Sequence, residues 1–451
     1  MASPRPSGRV TGRAHDREIL RLAGPAFLAL VAEPLFLLAD AAIVGHLGTP
    51  QLAGLGIAGA VIQTAVGLCI FLAYGTTASV ARRIGAGDTR GALAQGIDGI
   101  WLAVLIGVMV TVVGLATTRP LVGLFGSDAA VADQAAAYLG WAWLGVTPLL
   151  VVLASTGILR GLQDTRTPLY VAVGGNLLNV VLNVLLVYGL DLGIAGAAIG
   201  TDLAQLAMAA VLVTVVVRAA LRERAPLRPD LPGVRRAAHA GVPLVVRTLT
   251  LRASLLVMTY GAATLGATSM ATQQLAATIW TFLAFALDAI AIAAQAITGR
   301  YLGAGDLVAT RAITRRMIQW GVVSGVVTGL GLALVAPVLG PLFTPDPAVH
   351  AKLWPVLLVA ALFQPVAGVV FVLDGVLIGA GDGRYLAWGG LVVLAAFAPL
   401  ALAVTAMVGG SAQGLLWLWV VFGVAFMGSR AVVLLHRARG TRWMATGATG
   451  R

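Results

Sequence analysis

The chain is short of most of what soluble catalysis uses. Its 451 residues include one cysteine, one lysine and five histidines, and only 11% of them are charged. The lone Cys69 has no intrachain partner, which excludes a secreted domain held by disulfides. HExxH, GxSxG and a GxxxxGK phosphate loop do not occur, so the usual zinc, nucleophile and nucleotide signatures are missing. The chain is therefore read as no enzyme, with no cofactor and no metal. Its energy must come from an ion gradient or a partner.

What is present is apolar. Hydrophobic residues make up 59% and mean hydropathy is +0.94, which excludes a water-soluble globule of ordinary composition and a disordered chain. A hydrocarbon core of about 30 Å takes roughly 20 apolar residues in a helix. Twelve segments qualify: 19–45, 52–84, 91–117, 131–160, 166–189, 193–218, 237–264, 269–301, 309–336, 349–379, 384–408 and 411–436.

The net charge of +12 would suit nucleic-acid binding in a soluble protein, but the positions of the charges explain it otherwise. With a cytoplasmic N-terminus, the tails and loops on that side carry 26 arginines, against Arg119 and Lys352 on the other. Arg247 and Arg252 fall inside the seventh span. This asymmetry follows the positive-inside rule. It predicts a multi-pass protein of the plasma (inner) membrane with both termini cytoplasmic and the lipid bilayer as its partner. No nucleic acid is implied, and the chain is expected to act as a monomer.

The two halves match without gaps at an offset of 218. Pro25 pairs with Pro243, Arg82 with Arg300, and 85–88 (GAGD) with 303–306; Gly157, Gly161, Asp164 and Arg166 pair with Gly375, Gly379, Asp382 and Arg384. Matches at loop Gly, Asp and Arg indicate duplication, since chance likeness between apolar segments would drift in register. Six spans per repeat is even, so both halves enter the membrane in the same direction. The predicted fold is an all-α integral membrane protein: twelve transmembrane helices in two six-helix lobes related by a pseudo-two-fold along the membrane normal. The division is a tail 1–18, an N-lobe 19–218, a basic linker 219–236, a C-lobe 237–436 and a tail 437–451.

Ionisable groups at membrane depth cost from about 2.5 kcal/mol upward, so each is a candidate site. Glu33 and Asp40 are seven apart on the first helix and share a face. Pro25 and Pro34 remove N–H donors from that helix and predict a kink near the two acids. Asn176, Asn179 and Asn183 form a stripe on the fifth helix, and Thr201, Asp202 and Gln205 follow on the sixth. At the 218 offset, Asp40, Asn179, Asn183 and Thr201 become Met258, Phe397, Ala401 and Trp419. A shared structural need does not explain that loss. Interhelical hydrogen bonding between Gly-rich helices is the plainer use of these groups. In the C-lobe, Asp288, Gln295 and Asp374 make either a cation site or ion pairs with Arg247 and Arg252.

The segments 25–48 (PAFLALVAEPLFLLADAAIVGHLG), 81–88 (ARRIGAGD), 298–306 (TGRYLGAGD), 157–168 (GILRGLQDTRTP) and 174–183 (GGNLLNVVLN) together resemble the multidrug and toxic compound extrusion (MATE) family, DinF-like branch. The likeness covers residues 15 to 437. It implies a two-lobed antiporter exporting small organic substrates, often cationic or amphipathic compounds, by alternating access. Its coupling and substrate acid falls on Asp40, with pocket neighbours on Glu33, Phe36, Thr156, Asn179, Asn183 and Thr201. Position 183 is often Asp in that branch. Here it is an amide, which leaves Glu33 or Asp202 as titratable company for Asp40. The coupling ion this implies is H+. Na+ coupling through the C-lobe acids, or a lipid flippase of related fold, is the alternative.

Overall fold

The structure, a computed structural model, describes residues 12–408 and 413–448. The expected tail residues 1–11 and 449–451, and the predicted start of the last span at 411–412, lie outside them. The first six spans are α1 (Gly12–Gly45), α2 with α3 (Thr49–Leu68 and Phe71–Gly85), α4 (Thr89–Gly123), α5 (Ala129–Gly161), α6 (Arg166–Val184) and α7 (Gly193–Arg222). The second six are α8 (Leu231–Thr264), α9 (Ala267–Gly303), α10 (Leu307–Phe343), α11 (Pro347–Gly379), α12 (Gly383–Met407) and α13 with α14 (Gly414–Val421 and Ser429–Arg439). All twelve are long and apolar enough to cross a membrane. Helices suit that setting because each satisfies its own backbone hydrogen bonds where no water can.

Several helices outrun the apolar segments because polar caps carry them into water. Asp88 and Asp306, paired by the repeat, accept hydrogen bonds from the Gly91 and Ala309 amides, and Asp230 caps α8 in the same way. The Gly91 amide is also what chiefly draws the Asp88 carboxyl below its ordinary range. The first helix runs unbroken through Pro25 and Pro34. A break between helices comes at Cys69 and Ile70, between α2 and α3. π-helical turns at Leu185–Gly189 and Phe422–Gly428 end the fifth span and split the twelfth.

Packing repeats at the same offset as the sequence. A β-carbon on Gly157 would meet Ala73 O, and one on Gly375 would meet Ala291 O. The lobes touch through a reciprocal version of this contact. A β-carbon on Gly85 would collide with Arg300 O, and one on Gly303 with Arg82 O. Each residue meets the counterpart of the other's neighbour, as a two-fold axis between α3 and α9 requires.

This contact lies at the arginine-rich face. Among the described residues, the hydrogen bonds and ion pairs between lobes lie in the half of the membrane nearest that face. Asp16 of α1 accepts from Arg316 and Trp320 of α10, and Glu18 pairs with Arg300. Residues 12–18, expected as tail, are thus the first turns of α1, because their acids find partners on the other lobe. The C-terminal end also departs from a free tail: α14 continues to Arg439, and Trp443 is 3% exposed. Arg82 donates to Ala445 O at 2.9 Å, Gly447 O at 3.2 Å and Ala380 O at 2.8 Å, and Gly447 N reaches Leu302 O at 3.2 Å. The C-terminal segment therefore packs across the seam between lobes.

Gly85→Ala and Gly303→Ala should each lower the thermal unfolding midpoint in detergent, since a methyl group at either point pushes two backbones apart. Gly331→Ala, on α10 where a β-carbon meets nothing, should not lower it, because Ala favours helix over Gly by about 1 kcal/mol. Three equal midpoints would show that the lobes do not meet as closely as described.

Candidate functional site

Asp40 lies on α1 opposite the amide stripe of α6. Asn183 Nδ2 donates to Asp40 Oδ1 at 2.8 Å and stands 3.4 Å from Asn179 Oδ1. Asn179 Nδ2 donates to Thr201 Oγ1 at 2.8 Å, and the Thr201 hydroxyl donates to Ala197 O at 2.9 Å. Four residues on three helices therefore form one chain of hydrogen bonds with an acid at its end. Asn179 and Asn183 are buried, and Gly200 gives Asn183 its room, since a β-carbon there would strike Asn183 Oδ1. That Oδ1 is buried with no hydrogen-bond partner. Asp40 has no ion-pair partner among the described residues. Tyr138 of α5 stands near Asp40, Thr201 and Asp202; an aromatic residue in an apolar helix gave no sign of this.

The other candidates divide. Asp202, next to Thr201, turns to α5, where its carboxylate fills the space a β-carbon on Gly145 would take. Glu33 faces the region of Arg160, a positive neighbour at the end of α5. Phe36 is half-buried on the same helix. Thr156 and Asn176 are half-buried, and Gln205 Oε1 is buried without a partner. Neither acid is hydrogen-bonded to Asp40 among the described residues, and seven residues along α1 carry Glu33 about 10 Å from it toward the arginine-rich face.

In the C-lobe the equivalent place is filled. Phe397 and Trp419 pack with Trp280, Phe422 and Phe426, with ring centroids between 5.1 and 6.4 Å apart, and Met258 and Ala401 are buried. Trp280 is thus part of this aromatic core, while Phe282 is exposed. Asp288, Gln295 and Asp374 do come together, around a cavity of about 240 Å³ between the lobes. Gln295 Nε2 donates to Tyr74 O at 2.6 Å. Asp374, 7% exposed, accepts both nitrogens of an Arg247 fork and a third bond from Arg430 Nη2 at 3.2 Å. Arg430, counted among the arginines of the arginine-rich side, turns into the lobe and keeps 11% of its side-chain surface exposed. Arg252, expected as a counter-ion, pairs with no acid among the described residues.

A sequence profile described as MatE matches residues 25–185 and 243–407. The chain belongs to the MatE family. The two matched stretches begin at the repeat-related Pro25 and Pro243, so the family pattern occurs once in each lobe. DNA damage-inducible protein F of Escherichia coli (strain K12) is 30% identical over 443 residues, covering 95% of this chain and 94% of that one. Protein DETOXIFICATION 44, chloroplastic, of Arabidopsis thaliana is 32% identical over 395 residues, covering 83% and 74%. The crystal structure of the Vibrio cholerae MATE transporter VcmN in the bent form superposes with a TM-score of 0.87 at 21% identity, covering 95% of this chain and 98% of that one. At that identity the likeness establishes the MATE fold.

Within this MATE fold the Arg247–Asp374–Arg430 triplet is a structural tie between α8, α11 and α14. Asp374→Asn leaves two buried guanidiniums without their shared anion and should cost about 3–5 kcal/mol of stability. The measurement is the unfolding midpoint in detergent; a variant as stable as the parent would free Asp374 for a role in ion binding.

Proposed function

We propose that this chain is a secondary active antiporter that exports organic compounds in exchange for protons, with Asp40 as the coupling acid. The observation that carries this reading is the hydrogen-bond chain Asp40–Asn183–Asn179–Thr201, whose acid has no counter-charge. Names among the relatives point the same way: the protein from Thermotoga maritima that is 25% identical over 377 residues is called a probable multidrug resistance protein. The arginine-rich face is cytoplasmic in this reading, and the protein works as a monomer in the plasma membrane.

Asn183 suits either protonation state of Asp40. Its NH2 serves the carboxylate, and its unpartnered carbonyl oxygen can accept from the protonated acid once the amide turns over. Loading a proton thereby cancels the charge that holds a cationic substrate group and also rearranges the link between α1 and α6. With the lobes joined at the cytoplasmic face, the substrate leaves outward from such a state, and the proton is released inward after the lobes rock. A membrane potential of 100 mV supplies about 2.3 kcal/mol per charge moved.

Sodium coupling at the C-lobe acids finds less support, since Asp374 already has two tethered cations on it. The test is efflux of several cationic dyes from vesicles under separately imposed proton and sodium gradients. The expected result is dye movement driven by the proton gradient in the wild type and reduced to the level of protein-free vesicles in Asp40→Asn. Equal efflux from both proteins, or efflux driven by sodium at clamped pH and retained in Asp40→Asn, would overturn the reading.

A further inference from the structure

The cavity between the lobes carries a charge that the coupling chain leaves unused. It is bordered by Gly67, Ile70 and Tyr74 from the interrupted second span, by Arg247 and Arg252 of α8, by Asp288 of α9, and by Asp374 and Arg430. Asp374 is occupied by Arg247 and Arg430. Asp288 has Arg247, Arg160 and Arg430 as its positive neighbours. Arg252 has neither a hydrogen bond nor an ion pair among the described residues. Its Nη2 lies 2.8 Å from where a Gly67 β-carbon would sit, so the missing side chain at Gly67 is what gives the guanidinium its place.

We propose that this cavity receives the acidic group of an amphiphilic organic anion, held at Arg252. The inference rests on the transport reading above and adds organic anions, held at a separate place, to the cationic compounds which that reading puts at Asp40. Three guanidiniums against two carboxylates leave the lining with positive charge to spare, and an anion restores the balance. A guanidinium offers a planar fork of N–H donors that matches carboxylate, sulfonate or phosphate oxygens. Arg252 is an exposed residue at membrane depth: twelve residues of helix, about 18 Å, separate it from the outer end of α8. Leu251, Leu255, Ile292 and Phe371 complete the lining, so the ligand has an apolar body and is not a simple inorganic ion. At about 240 Å³ the space far exceeds the roughly 15 Å³ that one water requires.

Such a ligand is either a soluble organic acid or the headgroup of an anionic lipid. The experiment uses the full chain in phosphatidylcholine nanodiscs, with fluorescein as an anionic probe followed by anisotropy and ethidium as a cationic one. Arg252→Gln should weaken fluorescein binding by about tenfold or more, as loss of a charged partner does. Arg252→Lys should restore part of it, and ethidium affinity should stay unchanged in both. An unchanged thermal midpoint for Arg252→Gln shows that the fold is intact. Equal fluorescein affinity in wild type and Arg252→Gln, or no saturable fluorescein binding to a wild type that binds ethidium, would overturn the proposal. Discs containing phosphatidylglycerol separate the sources: competition with fluorescein supports the site as a lipid-headgroup site, and no competition supports it as a site for a soluble acid. Asp40→Asn should bind fluorescein as the wild type does. Intact binding there, together with unimpaired proton-driven efflux, would sink the coupling role of Asp40 while leaving the anion site standing.

Discussion

Two helix backbones touch where Gly85 and Gly303 have no side chains, and the arrangement of the lobes follows from that contact. Because the contact is reciprocal, the pseudo-two-fold passes between α3 and α9 at the arginine-rich face. The inter-lobe ties gather there, and the space between the lobes lies above it. Closeness of the backbones also traps Arg82 and Arg300, one turn back on each helix. The repeat places the two arginines alike, but their partners differ. Arg300 meets Glu18 of the other lobe, whereas Arg82 relies on carbonyl oxygens from Ala380 and from the returning C-terminal segment. Duplication fixed the geometry, and each copy found partners for its arginine in whatever chain lay nearby: a carboxylate for the partly exposed Arg300, carbonyl oxygens for the buried Arg82.

The same divergence decides where chemistry is available. In one lobe, position for position, an acid, two amides and a hydroxyl join three helices. In the other, Met258, Phe397, Ala401 and Trp419 fill the equivalent volume with packed apolar groups. Burying aromatic rings against one another needs no compensating donors, whereas every amide in the N-lobe chain must find a partner or remain costly. A polar arrangement that persists under that cost, with Asn183 Oδ1 still unpartnered, is the kind retained for a role beyond packing.

The twelve spans, the duplication and the Asp40–Asn183–Asn179–Thr201 group were legible in the sequence for physical reasons. Apolar length reports a membrane crossing, loop residues hold register, and spacings of three and four place side chains on one stripe. Other features left no such trace. The break at Cys69 and Ile70 sits in an apolar stretch whose hydropathy is the same whether or not the helix is continuous. Arg160 and Arg430 lie near span ends, where counting charges cannot separate a side chain in water from one turned into the protein. Seven-residue spacing put Glu33 and Asp40 on one face, yet their partners are set by other helices at different depths. Arg252 was expected to meet an acid because one was available in the lobe; which acid lies across from a given residue is a tertiary fact.

The strength of the ties between lobes bears on the alternating access proposed for this chain. Within each lobe, glycine-mediated approaches and apolar side chains pack along whole helices. Between lobes the ion pairs sit near the aqueous face: Glu18 and Arg300 keep 20% and 35% of their side-chain surface exposed, and Asp16 and Arg316 keep 22% and 39%. Pairs with that much access to water contribute about 0–1 kcal/mol each. No hydrophobic effect drives helices together across lipid either, because lipid tails are as apolar as leucine. At that face the exposed ion pairs are the weak ties, and the Gly85–Gly303 backbone contact and the hydrogen bonds of buried Arg82 are the tighter ones. A charge crossing 100 mV brings about 2.3 kcal/mol, which is on the scale of the weak ties. Under the proposed coupling, a proton gradient would shift the balance between two arrangements of the lobes without having to unpack either one.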